Sequence, residues 1–515
     1  MPTVTESRCM AGSSCNLGQA CRHLRVRRSQ PGVGLTPVFK VRGPASLVLP
    51  LQCSFCSMPN IPQAPGAPVI GNLHAFTSDL RSFLTEQYLA LGPVFRVSVL
   101  NHRYVVLAGP EANEFVTRKG TDHFVAQEIW DGVTKAVGGE NPSMIALDGP
   151  RHAIVRRGLK PGYAAGPLYS RMVKLIGCQL DLLRQWPRAQ PLTVFPQVKR
   201  LVAMLLGYMA TNESAEDVMD DFIYLFKAML QIHVFKTRPS FMQHLPRYTR
   251  SRQAILDMAR RIWLDHTYMD DMVPEGGNFV DVVRRFHEEH PDLMNERDAI
   301  AALNGPFIAG LDTAASTISF LIYHILADRD LTAAAIEEAD AVFADGVPNR
   351  NSLRSMIRVR WAAMETLRLY PPATVLSRSV SQGFRFAGFD IPAGTHCMLA
   401  HTVTHGLPEL FKDPDCFDPE RFGPERREHM QPNAFVPYGL GPHTCLGAST
   451  ADLLFLIVTA TLFRHYEVTM DPPGHKVRIK MQPLPSPDNR FRLILQSVRH
   501  PEPEWLLPAQ PAVAS

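Results

Sequence analysis

The order of apolar and polar positions divides the chain into a short β-forming part followed by a long helical part. Residues 94–100 and 104–107 are apolar, β-branched runs on either side of a polar turn, a pattern that predicts a hairpin. Pro110 follows at a point where proline favours the first turn of a helix. From about residue 150 to Gly383 the apolar positions recur with a helical period.

The pattern changes again after Gly383. Residues 384–391 and 417–422 lie among turn-forming residues and predict loops and short strands, while residues 466–470 and 491–495 predict closing strands. The sequence contains no internal repeat. Together these patterns predict a mainly α-helical domain with a small β region.

Residues 1–57 differ in composition from the rest of the chain. They hold seven Lys or Arg, one acidic residue and five of the nine cysteines. This composition is typical of a disordered extension, or of a segment upstream of an effective start at Met58. A basic transit peptide is one alternative. A metal site on the CxxC segment that begins at Cys53 is another, although no second Cys or His pair follows at finger spacing. We predict a folded domain at 58–505 and a tail at 506–515.

The overall composition excludes several classes of protein. The net charge of +4 is small for 515 residues, which argues against a dedicated nucleic-acid binder. No uninterrupted apolar run reaches the length of about 18 residues that a membrane span needs, so none is predicted. Nine cysteines in this length do not make a disulfide framework. We expect a monomer in the cytoplasm, or in mitochondria if the N-terminal segment is a transit peptide.

A cysteine between a Gly- and Pro-rich loop and an apolar helix carries the strongest chemical signal. Cys445 directly precedes the helix predicted for residues 448–463, and the helix N-terminus would stabilise a thiolate. Gly441 and Gly447 lack side chains, so the backbone can approach a flat ring system. His443 could reach an anionic group on that ring.

Two other interpretations of this loop are weaker. A lone cysteine is usually a small buried hydrophobic residue. Gly439 and Gly441 would suit a dinucleotide-binding loop, but the third glycine of that pattern is replaced by Thr444.

The loop resembles the haem-binding signature of the cytochrome P-450 family, F-x-x-G-x-[RH]-x-C-x-G, with Tyr438 in place of Phe. The resemblance implies that Cys445 is the axial ligand of the iron of haem b. It also implies that Tyr438, Gly441, His443 and Gly447 contact the cofactor. The substitution keeps an aromatic ring, but the added hydroxyl needs a partner if it is buried.

Residues 296–328 predict one helix of roughly 50 Å. Pro306 lies inside this run and would remove a hydrogen bond. Either the proline bends the helix beside the site, or the helix begins later than the pattern indicates.

The same helix carries the sequence Ala309-Gly310-Leu311-Asp312-Thr313, which resembles the oxygen-binding motif of the family. The resemblance implies that Ala309 and Gly310 leave room for dioxygen. It also implies that Thr313 donates a hydrogen bond to the oxygen and that Asp312 relays protons. Taken alone, the same residues would indicate helix packing and a bond from the threonine to the backbone.

Three further residues resemble the buried ion-pair triad of the family. Glu365 and Arg368 form an E-x-x-R pair, and Arg421 lies in a Pro-Glu-Arg-Phe segment. On an exposed helix such a pair contributes only about 0.3 kcal/mol. The resemblance implies a structural role for all three residues.

The remaining motif residues are basic. His152 and Arg156 lie four residues apart on one predicted helix face, and Arg378 follows later in the chain. A solvated basic face is the plain interpretation. The resemblance implies that all three bind the haem propionates.

The resemblance covers residues from about 60 to 500 and implies the cytochrome P-450 fold, with haem between the long central helix and the cysteine loop. The implied enzyme is a haem-thiolate monooxygenase that oxidises a hydrophobic small molecule with O₂. Electrons would come from an external ferredoxin or flavodoxin with its reductase. We expect the redox protein to dock near Arg157, Lys160 and Arg426. We expect the substrate pocket to be lined by residues 121–147, 218–235, Phe307 and 373–375.

Three other functions remain open from the sequence. A peroxide-driven haem-thiolate enzyme is the nearest, but such enzymes usually lack the acid–alcohol pair that this chain keeps at Asp312 and Thr313. A non-catalytic haem sensor or carrier would need no proton relay. A helical protein without haem would give no spectrum of a thiolate-bound haem.

Overall fold

The computed structural model describes residues 60–211, 215–266, 278–481 and 484–506. The expectations for residues 1–57, and for nearly all of the tail at 506–515, lie outside the described residues. Those predictions therefore stay predictions.

Helices make up most of the described chain. The α-helices are α1 Leu73–Thr77, α2 Leu80–Leu91, α3 Pro110–His123, α4 Gln127–Ala136, α5 Gly149–Leu159, α6 Met172–Gln185, α7 Val194–Thr211, α8 Met219–Met229, α9 Pro246–Asp265, α10 Phe279–Glu289, α11 Glu296–Ala302, α12 Gly305–Ala327, α13 Arg329–Val342, α14 Arg350–Arg354, α15 Ile357–Leu369 and α16 Ala448–His465.

The strands are short and form small sheets. They are β1 Val94–Val99, β2 His102–Ala108, β3 Phe124–Val125, β4 Leu192–Thr193, β5 Leu376–Val380, β6 Phe384–Phe386, β7 Phe389–Ile391, β8 His396–Ala400, β9 Tyr466–Asp471, β10 Ile479–Met481, β11 Pro485–Pro487 and β12 Arg492–Val498. The largest sheet has five strands in the order β1-β2-β8-β5-β3, with β2 and β8 parallel. The predicted hairpin is confirmed, because β1 and β2 pair antiparallel with Val94 opposite Leu107.

The core lies around α12, which is buried along most of its length. It packs against α7, α13, α15 and α16. Among the described residues, the stretches Glu296–Ala327 and Gly441–His465 are long and apolar enough to cross a membrane, but 67% and 61% of their most apolar windows are buried inside the protein. Both stretches therefore fit the core helices of a folded domain.

The continuous helix predicted for residues 296–328 is wrong. A turn at Leu303 and Asn304 separates α11 from α12, and α12 begins at Gly305 with Pro306 in its first turn. A proline there loses no intrahelical hydrogen bond, because the first amides of a helix have no partner within it. The helix begins later than the pattern indicates, and the proline marks its start.

The helical period predicted up to Gly383 also ends too late. Helix α15 stops at Leu369, just before Pro371 and Pro372, and β5 follows. Prolines cannot continue a helix, so the chain turns into the large sheet. Residues 417–422 lie in the loop region predicted for them, where Pro419–Phe422 is a short 3-10 turn.

Candidate active site

A cavity of about 850 Å³ lies between α12 and the cysteine loop. Thr313, Ala309 and Gly310 line it from α12, and Cys445 and Gly447 line it from the opposite wall. Two motifs that lie more than a hundred residues apart in sequence therefore face one space.

The cysteine loop has a backbone that only glycine adopts easily. Gly439 and Gly441 have φ angles of 80° and 64°, in the left-handed region that favours residues without a side chain. The loop folds back on itself, because the backbone N–H of Cys445 donates to the carbonyl oxygen of Tyr438 at 2.9 Å. Helix α16 starts three residues after the cysteine with Gly447 as its N-cap.

Burial raises the pKa of the Cys445 thiol, while the backbone N–H of Gly447 and the charge of Arg156 oppose this effect. Desolvation disfavours the anionic sulfur as long as no cation is close to it. A metal ion bound to the sulfur would reverse that balance, since coordinated thiols lose their proton.

The tyrosine at the first position of the loop motif has a partner for its hydroxyl. Tyr438 Oη donates to Asp452 Oδ1 at 2.6 Å, and Asp452 lies in the first turns of α16. Burial raises the pKa of both groups. The charge of Asp452 raises the pKa of Tyr438 further, whereas the hydrogen bond from Tyr438 lowers the pKa of Asp452. The carboxylate is close enough to Cys445 to disfavour the thiolate.

On the opposite wall, Thr313 Oγ1 donates to the carbonyl oxygen of Ala309 at 2.7 Å. This is the bond to the backbone that helix packing alone predicts, although the side chain also faces the cavity. Ala309 is exposed to the cavity. Gly310 has an additional role, because a Cβ at this position would lie 3.2 Å from Leu206 of α7.

The acid of the α12 motif is held by a lysine of a neighbouring helix. Asp312 Oδ1 forms an ion pair with Lys199 Nζ of α7, and their side chains are only 6% and 10% exposed. Lys199 also lies 5.5 Å from the centre of the Phe195 ring. No motif in the sequence includes this lysine, and its place within the apolar run that forms the buried face of α7 is the only sign of its role among the described residues.

Four basic side chains converge on the wall beside the cysteine loop. They are His152, Arg156, Arg378 and His443. The rings of His152 and His443 stack with their centres 4.1 Å apart. Burial and the nearby charge of His443 lower the pKa of His152 to about 4. Burial also lowers the pKa of Arg378 to about 10.

A single acid lies close to this basic group. Asp148 Oδ1 is 3.2 Å from His443 Nε2, and its other oxygen accepts the backbone N–H of Ala126 at 2.8 Å. In the four described ranges, neither Arg156 nor Arg378 forms an ion pair with a carboxylate. Buried guanidinium groups need an anion, so the group fits a ring system that carries carboxylates. With the thiol of Cys445 facing the same cavity, the residues fit haem b.

The predicted triad is brought together and fully buried. Arg368 binds both oxygens of Glu365 at 2.7 and 2.8 Å, and Arg421 Nε donates to Glu365 at 3.0 Å. Arg421 also binds Glu428 at 2.7 Å. All three triad side chains are 0% exposed, so this is an internal network and not the exposed pair considered from the sequence.

One expectation about the cavity lining is wrong. Phe307 is not among the cavity-lining residues, because its ring stacks on Phe222 with their centres 4.6 Å apart. Arg426, expected at the docking surface, is exposed and binds Asp418 at 2.5 Å and Glu428 at 2.5 Å.

Comparisons with known proteins identify the family of the chain. The sequence model of the family described as Cytochrome P450 matches residues 61–495. The chain is 25% identical over 443 residues to a putative cytochrome P450 120 of Synechocystis sp., covering 86% of this chain and 98% of that relative. It is 25% identical over 432 residues to the obtusifoliol 14-alpha demethylase of Triticum aestivum, covering 80% of this chain and 93% of that relative.

A solved structure titled retinoic acid bound cyanobacterial CYP120A1 has the same fold, with a TM-score of 0.71 at 23% identity. The match covers 86% of this chain and 100% of that chain. The family model alone matches most of the sequence. The chain therefore belongs to the cytochrome P450 family of haem-thiolate monooxygenases, whose cofactor is haem b.

Proposed function

We propose that this P450 oxidises an apolar small molecule in the cavity below α12, with two electrons from a separate ferredoxin or flavodoxin. The observation that carries the proposal is the shared cavity of about 850 Å³, which both Thr313 and Cys445 line. Haem b would take up part of this volume, and the remainder would hold a small organic molecule.

In this proposal the chain would hold haem b through three kinds of contact. Cys445 binds the iron, and Gly441 and Gly447 allow the backbone to approach the ring. The basic group of His152, Arg156, Arg378 and His443 binds the propionates. Haem supplies the activation of O₂, which a thiolate ligand favours by donating electron density to the iron.

The residues of α12 then handle protons. Thr313 donates its hydroxyl proton towards the oxygen side of the cavity, and Asp312 replaces that proton from solvent. Lys199 holds the carboxyl group of Asp312 through their ion pair. Thr313 would have to release the carbonyl oxygen of Ala309, or share its hydrogen bond, to donate its hydroxyl proton into the cavity.

The lining of the cavity supports an apolar substrate. Most of its side chains are aliphatic or aromatic, among them Ile129, Val133, Phe226, Leu230 and Val234. The relative from Triticum aestivum is named for demethylation of obtusifoliol. We propose a terpenoid, a steroid or a fatty acyl compound as the class of substrate.

The electron donor would dock on the basic surface around the cysteine loop. Arg157 and Lys160 are exposed at the end of α5, next to Arg156, which donates to the carbonyl oxygen of Thr444 in the loop. We leave Arg426 out of the proposed docking surface, because its charge is already paired with Asp418 and Glu428. Arg360 replaces it, since it is exposed and its charge acts on Tyr438 and Asp452. A reducing compartment such as the cytoplasm suits the thiolate ligand.

The substrate proposal is tested by a screen of apolar metabolites against the purified haem protein. Binding is measured by the spin-state shift of the haem, and product is measured with ferredoxin, its reductase and NAD(P)H. We expect turnover of at least one apolar ligand, and none in the Cys445→Ala variant. Turnover with peroxide alone, with no gain from the electron donors, would contradict the proposal.

The docking proposal needs a charge-reversal set. Arg157→Glu, Lys160→Glu and Arg360→Glu should slow the first electron transfer and weaken its dependence on salt concentration. The control is Arg250→Glu, an exposed residue of α9 outside this surface. Equal rates in the triple variant and the control would show that the donor docks elsewhere.

A further inference from the structure

Two cations line the cavity in addition to the basic group beside the cysteine loop. Lys236 and Arg238 line the cavity, and both are also exposed to solvent. These two residues therefore lie where the cavity opens to the outside. The cysteine loop lines the same space at another part of the wall.

The backbone that carries these two residues is shaped by local bonds. Helix α8 ends in a π-helical turn at Leu230–Val234, and the next residues fold back onto it. The N–H groups of Thr237 and Arg238 donate to the carbonyl oxygen of Gln231 at 2.9 and 3.2 Å. Lys236 has a φ angle of 51°, a left-handed conformation that is unfavourable for a residue with a side chain. The strained position is one that faces the cavity.

Two further lysines, Lys227 and Lys480, add positive charge to that of Lys236 and Arg238. Burial lowers the pKa of Lys227, and the charges of Arg238, Lys199 and Lys480 lower it further. Asp312 acts against this effect, but it is already paired with Lys199. Lys480 lies on β10, next to the cavity-lining Met481.

No acid among the described residues pairs with these cations. Throughout 60–211, 215–266, 278–481 and 484–506, neither of the lining cations Lys236 and Arg238 forms an ion pair with an acid, and the same holds for Lys227 and Lys480. Like charges held close together repel one another, so a bound anion would relieve an existing electrostatic cost. The apolar wall and the cationic mouth together favour a ligand with an apolar body and an anionic end.

We propose that Lys236 and Arg238, supported by Lys227 and Lys480, bind the carboxylate of an amphipathic substrate whose apolar body extends into the cavity towards Cys445. The guanidinium of Arg238 can bind both oxygens of a carboxylate. This inference rests on the proposed function, because it names the substrate class of the same cavity. An apolar acid, and not the corresponding alcohol or ester, is the preferred ligand.

The test uses two matched pairs of probes with the purified haem protein. The pairs are dodecanoic acid with 1-dodecanol, and abietic acid with methyl abietate. Dissociation constants are measured by the haem spin-state shift and, independently, by equilibrium dialysis. We expect each acid to bind about tenfold more tightly than its neutral partner. Added salt should weaken the binding of the acids only.

Variants then locate the effect. The double variant Lys236→Gln/Arg238→Gln should abolish the preference for the acids and leave the binding of the neutral probes unchanged. Arg238→Lys should keep most of the preference, because it keeps the charge. The control Arg157→Gln removes an exposed cation outside the cavity and should keep all of it.

The inference is wrong if acid and neutral probe bind equally to the wild type, if the preference survives in the double variant, or if dialysis shows no binding of any probe. Oxidation of neutral ligands without a preference for acids would leave the proposed function standing and remove this inference. A preference for acids that depends on Lys236 and Arg238, without turnover of any ligand, would support this inference and contradict the proposed function.

Discussion

The hydroxyl of Tyr438 shows how a single departure from a family motif is accommodated. The ring keeps the place that the motif gives to phenylalanine, and the added oxygen donates to Asp452 at 2.6 Å. A buried hydroxyl without a partner would destabilise the fold. The partner brings a carboxylate into the surroundings of Cys445, so this chain has a local charge that the motif does not predict.

Asp452→Asn should raise the reduction potential of the haem. The change removes a negative charge near the cysteine sulfur while an amide can still accept the hydrogen bond of Tyr438. Loss of that charge favours the reduced, less positive iron, and we expect a shift of several tens of millivolts. The measurement is a spectroelectrochemical titration, with the exposed Glu467→Gln as a control of equal charge change. An unchanged potential in Asp452→Asn would show that the carboxylate is neutral or screened.

Thr313→Ala should separate oxygen consumption from product formation. The variant loses the one hydroxyl of the α12 motif that faces the cavity, so oxygen would leave as peroxide before it reaches the substrate. A positioned proton donor contributes about 10²-fold or more, and we expect the yield of product per electron pair to fall by at least about tenfold. Thr313→Ser keeps the hydroxyl and should retain most of the yield. Equal yields in Ala and Ser variants would exclude a role for the hydroxyl.

At the scale of elements, α7 and α12 are joined by packing and by one ion pair. Leu206 of α7 packs where a Cβ on Gly310 would lie, and Lys199 binds Asp312. Both contacts fix the side of α12 that faces the site. The pair also fixes the direction of the Asp312 carboxyl group.

Lys199→Met should destabilise the protein, because it leaves the carboxylate of Asp312 buried without its partner. Removal of one member of a buried ion pair costs about 3 kcal/mol. The measurement is the free energy of unfolding in urea. The adjacent Arg200 forms an exposed pair with Asp220 at 3.5 Å, so Arg200→Gln should cost less than about 1 kcal/mol. Similar losses in both variants would contradict the buried pair.

The sequence predicts some elements well and others poorly, for physical reasons. The hairpin β1–β2 and the helix α16 have strong periodic patterns, and both form. The break before α12 has no such pattern, since Gly305 and Pro306 are compatible with a bend or with a start. Strands β5 and β8 are five residues long and form by pairing with distant strands, which local periodicity does not record.

At the scale of the whole molecule, the motif residues meet because the fold brings distant segments together. The family resemblance identified the triad and side chains that face the cavity, such as Cys445 and Thr313, but it also named Asp312 and Gly441, which are not among the cavity-lining residues. It did not identify Lys199, Asp452 or Asp148, which bind those side chains. Such partners depend on tertiary contacts, as the separation of 295 residues between Asp148 and His443 illustrates.

Buried histidines should make the stability of the whole domain depend on pH. Burial lowers the pKa of His324 to about 3, and its ring stacks on Phe417 with their centres 3.7 Å apart. In the unfolded chain a histidine has a pKa of about 6.5, so below that pH the unfolded state binds a proton that the folded state does not. Stability from this group is therefore present above pH 6.5 and is lost as the pH falls towards 3.

Between pH 6.5 and 5, His324 alone should lower the free energy of unfolding by roughly 2 kcal/mol. His324→Phe should remove this part of the slope, measured by urea unfolding at several pH values. The remaining slope would come from other histidines, such as His152 and His401, whose pKa values burial lowers to about 4. The exposed His74→Asn serves as the control. A variant slope equal to that of the wild type would show that His324 is accessible to protons.

The carboxylate of Asp148 contacts two parts of the structure, the start of α4 and the cysteine loop. It accepts the N–H groups of Ala126 and Gln127, where α4 begins, and it also lies 3.2 Å from His443 in the cysteine loop. Helix α4 contributes Ile129 and Val133 to the cavity. A ligand that pushes α4 outward would strain the carboxylate of Asp148, which also contacts His443. Binding in the cavity would therefore be coupled mechanically to the cysteine loop.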